Sequence, residues 1–229
     1  MYERERKLGI KETSVLSAAY QLGVPVFTSS PGDSSIGMNV AYHELMNDSR
    51  LMIDPNKDVN EVCAIIRAAE KNGCVILGGG SPKNFYLQGQ PTLWEVYGIP
   101  KGGNDFFIQI TTDQVVWGGL SGATPSEAIS WGKVQANMMK NHVVVSSDTP
   151  IAAPLIFAYA LSTRKKREPK RLFQRLPGHR LTGAGGTGAG RYHRRRKNAI
   201  AIQNDCFGGG GTDIHPAHQP VLFYLFNCH

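Results

Sequence analysis

Cys74-Val75-Ile76-Leu77-Gly78-Gly79-Gly80-Ser81-Pro82-Lys83 is the stretch that decides the fold of this 229-residue chain. Four consecutive apolar residues read as a strand buried on both faces, because a half-exposed strand alternates apolar with polar side chains. The three glycines that follow let the backbone turn sharply and let a ligand approach it. The same pattern repeats outward from this point. Upstream, Val24-Pro25-Val26-Phe27 reads as a strand and 36–46 as a helix. Asp58-Val59-Asn60-Glu61 reads as a capping box opening a helix whose apolar face runs through Val62, Ile65, Ile66 and Ala69. Downstream, Phe106-Phe107-Ile108-Gln109-Ile110 and His142-Val143-Val144-Val145 read as strands, and 150–161 as an apolar helix. Short apolar strands alternating with helices imply an α/β fold, a mostly parallel sheet wound on both faces.

In such sheets ligands bind beyond the carboxyl ends of the strands. The unusual residues of this chain fall there: Pro31-Gly32-Asp33-Ser34-Ser35, the three glycines with Ser81-Pro82-Lys83-Asn84, Thr111-Thr112-Asp113, and Ser146-Ser147-Asp148-Thr149. Taken singly, these Asp and Ser residues read as helix caps. Taken together, they read as a nucleotide or cofactor site on one edge, although none is the usual phosphate fingerprint.

A second constellation is Ser126-Glu127-Ala128-Ile129-Ser130-Trp131-Gly132-Lys133. Thr124, Pro125 and Glu127 form a capping box, so Glu127 and Trp131 share one helix face and Gly132 ends the helix. A carboxylate, an indole face and a lysine suit an organic cation, and a lysine with a lowered pKa forms imines. The plainer alternative is that Glu127 caps, Trp131 packs and Lys133 is a solvated charge.

Composition narrows the function. No run approaches the roughly 18 apolar residues of a membrane span, and the charged start Met1-Tyr2-Glu3-Arg4-Glu5-Arg6-Lys7 is unlike a signal peptide. Cys63, Cys74, Cys206 and Cys228 show no metal-ligand spacing, and a reducing cytoplasm is expected. The net charge of +7 is unevenly spread: residues 1–163 carry 12 Lys/Arg against 15 Asp/Glu, and residues 164–229 carry 13 against 3. The chain therefore divides into 1–163 and a basic, glycine-rich tail, 164–229. Gly183-Ala184-Gly185-Gly186-Thr187-Gly188 matches a dinucleotide fingerprint by letter but follows no strand, and reads as a decoy. The tail is expected to be irregular or disordered, and the abrupt shift reads as translation out of frame or an added extension. A nucleic-acid arm built on Arg194-Arg195-Arg196-Lys197 is the weaker alternative.

Residues 11 to about 163 resemble deoxyhypusine synthase, especially the bacterial deoxyhypusine synthase-like branch that includes homospermidine synthases. The resemblance rests on Val24-Pro25-Val26-Phe27, Gly32-Asp33-Ser34-Ser35-Ile36-Gly37, Ile76-Leu77-Gly78-Gly79-Gly80-Ser81-Pro82-Lys83, Ser121-Gly122-Ala123 and Glu127-Ala128-Ile129-Ser130-Trp131-Gly132-Lys133, in family order. It covers the C-terminal part of a complete family member, so the chain reads as N-terminally truncated. The resemblance implies a Rossmann-like doubly wound sheet, a tetramer with shared sites, and NAD-dependent transfer of an aminobutyl group from spermidine or a related polyamine. It implies that Lys133 forms the imine with the transferred group, that Trp131 lines the polyamine tunnel and that Glu127 binds the polyamine. Asp33, Gly79, Thr112, Asp148 and Thr149 match NAD-contacting positions.

Three positions depart from the family pattern. Met38 and Leu120 stand where it has aspartates, and Asn84 stands at the substrate site where it has histidine. That favours a small diamine such as putrescine over a protein lysine as acceptor. An inactive truncated or frameshifted fragment is the competing reading.

Overall fold

The computed structural model describes residues 2–11, 13–176 and 221–226. Helices α1 (Tyr2–Lys7) and α2 (Val15–Leu22) meet through Tyr2 and Tyr20, whose ring centroids lie 5.7 Å apart. Helix α3 (Ser35–Asn47) is capped by Ser34, whose Oγ accepts from the Gly37 N–H at 3.0 Å. Helix α4 (Pro55–Ala68) starts earlier than the 58–61 pattern suggests. Asp54 accepts from the N–H groups of Asn56 and Lys57, each at 3.1 Å, and Pro55 holds the first helical position, so a stronger cap lies upstream.

The remaining elements build the sheet and its covers. They are β1 (Asn72–Leu77), α5 (Gly80–Leu87), α6 (Gly89–Pro91) running into a π-type turn over Thr92–Val96, β2 (Phe106–Thr111), α7 (Pro125–Ser130), β3 (His142–Ser146), α8 (Thr149–Thr163), α9 (Leu172–Arg175) and β4 (Val221–Phe226). The strand order is β3-β2-β1-β4, and every pairing is parallel. Cys74 stands opposite Phe107, and Phe107 opposite His142.

Alternation along β1 and β2 divides the core between the two faces. Cys74, Ile76 and Phe107 pack with Val62, Cys63 and Ile66 of α4, with Tyr86 and Leu87 of α5, and with Leu93. Val75, Leu77 and Ile110 pack on the other face with Ala153 of α8. Each large side chain fully buried this way contributes about 1.5–3 kcal/mol. Helices on both faces of a parallel sheet give the expected α/β architecture, consistent with a Rossmann-like fold. None of the helices among the described residues is long and apolar enough to cross a membrane.

Two expectations change. Residues 24–27 join no strand. Pro25 has no N–H to offer a ladder, and Phe27 instead packs against Ile65 and Ala69, its ring 6.3 Å from that of Phe85. The tail is ordered only in part where it is described: residues 164–171 form neither helix nor strand, whereas Leu172–Arg175 and Val221–Phe226 do. The Phe173 N–H donates to the Gly23 carbonyl at 2.9 Å, and Leu172 and Leu176 pack on Ile65 and Ala69. Residues 221–226 pair along the whole of β1, covering an edge whose backbone groups otherwise lack partners. The glycine motif at 183–188, the arginine run at 194–197, Cys206 and Cys228 lie outside the described residues.

Candidate active site

A small, open cleft lies between α5 and α7, with Phe107 of β2 in its lining. Lys83, Asn84, Glu127, Trp131 and Lys133 line it. The sequence builds this wall locally. Thr124 Oγ1 accepts from the Glu127 N–H at 3.3 Å, and Pro125 fills the first position of α7. The helix closes at Trp131, and Gly132 adopts φ +65°, the left-handed region where a side chain is strained. The chain therefore turns at Gly132 and sends Lys133 back toward α5. Lys133 Nζ donates to Asn84 Oδ1 at 2.9 Å and lies 5.6 Å from the centre of the Trp131 ring, within cation–π range. Partial burial holds the Lys133 pKa below its ordinary value, and the Glu127 carboxylate opposes that fall. Trp131 is 61% exposed, so the expected tunnel is an open cleft in this chain.

In the sequence, Lys83 is legible only as part of the glycine-rich motif. It is 3% exposed and holds the approach to α7 in place. Its Nζ donates to the Ala123 carbonyl at 2.9 Å, to Gln109 Oε1 at 3.3 Å and to the Ser121 carbonyl at 3.5 Å. Gln109, fully buried in β2, adds a 2.7 Å bond from Nε2 to the Ser121 carbonyl. Burial lowers the Lys83 pKa to about 8. The available signals were a lysine in the first turn after a buried strand and a lone amide inside the apolar run 106–110. Consecutive residues of α5 thus grip both ends of the α7 segment: Lys83 the entry and Asn84 the exit.

The candidate cofactor residues occupy another part of the fold. Because β1, β2 and β3 are parallel neighbours, Gly79, Thr112, Asp148 and Thr149 emerge on one edge. Asp33, exposed in the turn Pro31–Asp33, follows a segment tied to α5 by Ser29 and Ser30, whose Oγ atoms lie 3.0 and 2.7 Å from Ser81 Oγ. Gly79 opens α5 with no side-chain cap, which leaves first-turn N–H groups for an anion. Asp148 stands at the cap of α8 but makes no capping bond, whereas Ser34 caps α3. A helix start without a side-chain cap, with carboxylates and hydroxyls around it, fits the diphosphate and ribose hydroxyls of a dinucleotide.

These features define a parallel α/β domain with a lysine set in a cleft beside a carboxylate and an indole face, next to a polar strand-end edge. The deoxyhypusine synthase family model matches residues 3–160, and the chain belongs to that family. A deoxyhypusine synthase-like protein of Nostoc punctiforme is 50% identical over 177 residues, covering 76% of this chain and 45% of the relative. A probable deoxyhypusine synthase 2 of Methanosarcina acetivorans is 40% identical over 164 residues, covering 72% of this chain and 46% of the relative. The chain thus spans a little under half the length of the curated relatives it matches.

Proposed function

We propose that this chain carries the group-transfer lysine of a polyamine aminobutyltransferase of the deoxyhypusine synthase or homospermidine synthase type. The observation that supports this most is the Lys133 amine, held 2.9 Å from Asn84 Oδ1 beside the Trp131 face, with Glu127 in the same cleft. Trp131 and Glu127 bind a cationic polyamine such as spermidine or putrescine by ring face and carboxylate. Asp33, Gly79, Thr112, Asp148 and Thr149 would hold NAD, which would supply reversible hydride acceptance at the carbon beside the substrate nitrogen. Neutral Lys133 adds to that carbon, and the carbon–nitrogen bond to the departing amine breaks as that nitrogen takes the proton Lys133 gives up. The aminobutyl group then rests on Lys133 as an imine. An acceptor amine adds to the same carbon, and Lys133 leaves as a free amine. Met38, Asn84 and Leu120 in place of the family's carboxylates and imidazole favour a small diamine acceptor over a protein lysine.

The test is to incubate the protein with NAD, spermidine and putrescine and identify the amines by mass spectrometry. A new polyamine that Lys133→Ala abolishes supports the reading; no new polyamine and no modified acceptor protein sink it. A second reading, an inactive fragment of such an enzyme, draws on the exposure of Trp131 and on the chain's short span of its relatives. Saturable NAD binding by the purified chain argues against that alternative.

A further inference from the structure

We propose that Asn104 is a positioning residue for Lys133, gripping its main-chain carbonyl so that the amine always starts from one place. The inference rests on the reading of Lys133 as the imine-forming lysine. Asn104 is fully buried just before β2. Its backbone N–H and its side-chain Nδ2 both donate to the Lys133 carbonyl, each at 3.0 Å. Its Oδ1 accepts from the Tyr86 hydroxyl at 2.5 Å, which fixes which end of the amide faces Lys133. Its own carbonyl accepts from the Gln135 N–H at 3.1 Å.

This arrangement is a short parallel pairing, with Asn104 bridged to Val134. Gly103 makes it possible, since a Cβ there would lie 2.5 Å from the Val134 backbone nitrogen. Val134 is itself buried in the core. Lys133 therefore has the left-handed turn of Gly132 before it and a buried anchor after it, with two donors on its carbonyl between them. The main chain is fixed by Asn104 and the amine end by Asn84. An asparagine suits the role because one side chain must donate to a carbonyl and accept from a hydroxyl at once. Leucine or alanine does neither, and an ionised aspartate presents an acceptor to the Lys133 carbonyl.

The experiment measures imine formation at Lys133 without any cofactor. The protein is treated with saturating 4-aminobutanal and sodium cyanoborohydride, and the rate of adduct formation at Lys133 is read by peptide mapping against the exposed lysines. Asn104→Asp is expected to slow Lys133 about tenfold, and Tyr86→Phe roughly threefold, with the other lysines unchanged. Asn72→Ala is the control. Asn72 is 1% exposed and bonds the Ile66 carbonyl at 3.2 Å, so its loss destabilises a buried polar site with no bond to Lys133. Parent rates in Asn104→Asp overturn the proposal, as does an equal slowing in Asn72→Ala, which would mark a general stability effect. Should Asn104→Asp not fold, a parent rate in Tyr86→Phe overturns it. No preferential adduct at Lys133 in the parent protein overturns the reading of Lys133 itself, a result distinct from the others.

Discussion

Replacing Lys83 by methionine removes a buried cation while keeping the length of its side chain. The cation costs free energy at neutral pH, because burial lowers its pKa from 10.5 to about 8. Taken at full value, that fall corresponds to about 3 kcal/mol. Lys83 also lines the open cleft, where solvent screens part of the cost, which leaves about 2 kcal/mol. The sign follows from proton counts. From about pH 8 to about pH 10.5 the unfolded chain holds a proton on Lys83 that the folded chain has released, so raising pH through that window stabilises the native protein. At neutral pH the substitution relieves the buried charge but strands the Ala123 carbonyl and Gln109 Oε1, at about 1–3 kcal/mol for such groups. These two effects nearly cancel, so the pH slope is the discriminating quantity. Urea unfolding of both proteins at several pH values gives it. The stability of the native chain minus that of Lys83→Met should rise by about 2 kcal/mol between pH 7 and pH 10.5. Thiols and tyrosines common to both proteins cancel in the difference. A flat difference across the window would refute the account of Lys83 as a buried, depressed lysine.

Glu127→Gln removes the anion that raises the Lys133 pKa, so the alkaline rise in Lys133 reactivity should move to lower pH while polyamine KM increases; a pH–rate profile checks both. Trp131→Ala should weaken polyamine binding roughly threefold to thirtyfold, the range for a cation on an aromatic face, as read by calorimetry. Asp148→Ala should leave the melting temperature unchanged, because its side chain caps nothing, and should weaken NAD in a fluorescence titration.

The parts of the fold written in consecutive residues were legible. The runs at 74–77, 106–110 and 142–145 became β1, β2 and β3, and the Thr124–Glu127 spacing became the cap of α7. Features that depend on distant partners were not. Val24-Pro25-Val26-Phe27 has strand composition, but pairing is decided by neighbours, and Phe27 finds the α4 surface instead. Val221–Phe226 has strand composition within a tail whose charge and glycine content suggest no structure, yet it meets the edge of β1. At the site, Glu127, Trp131 and Lys133 lie within seven residues and can be read together. Lys83 acts on the turn leading into that segment from 38 to 40 residues away, and Asn104 on Lys133 from 29, through carbonyls that no side-chain pattern reveals.

Everything proposed for this cleft turns on Lys133 carrying the transferred group. Incubating the protein with NAD and spermidine, reducing with borohydride and mapping the peptides tests it most directly. An aminobutyl adduct on Lys133, dependent on NAD and competed by putrescine, is the expected result. An adduct on another residue, or unmodified Lys133 in a protein that binds both NAD and spermidine, would contradict it.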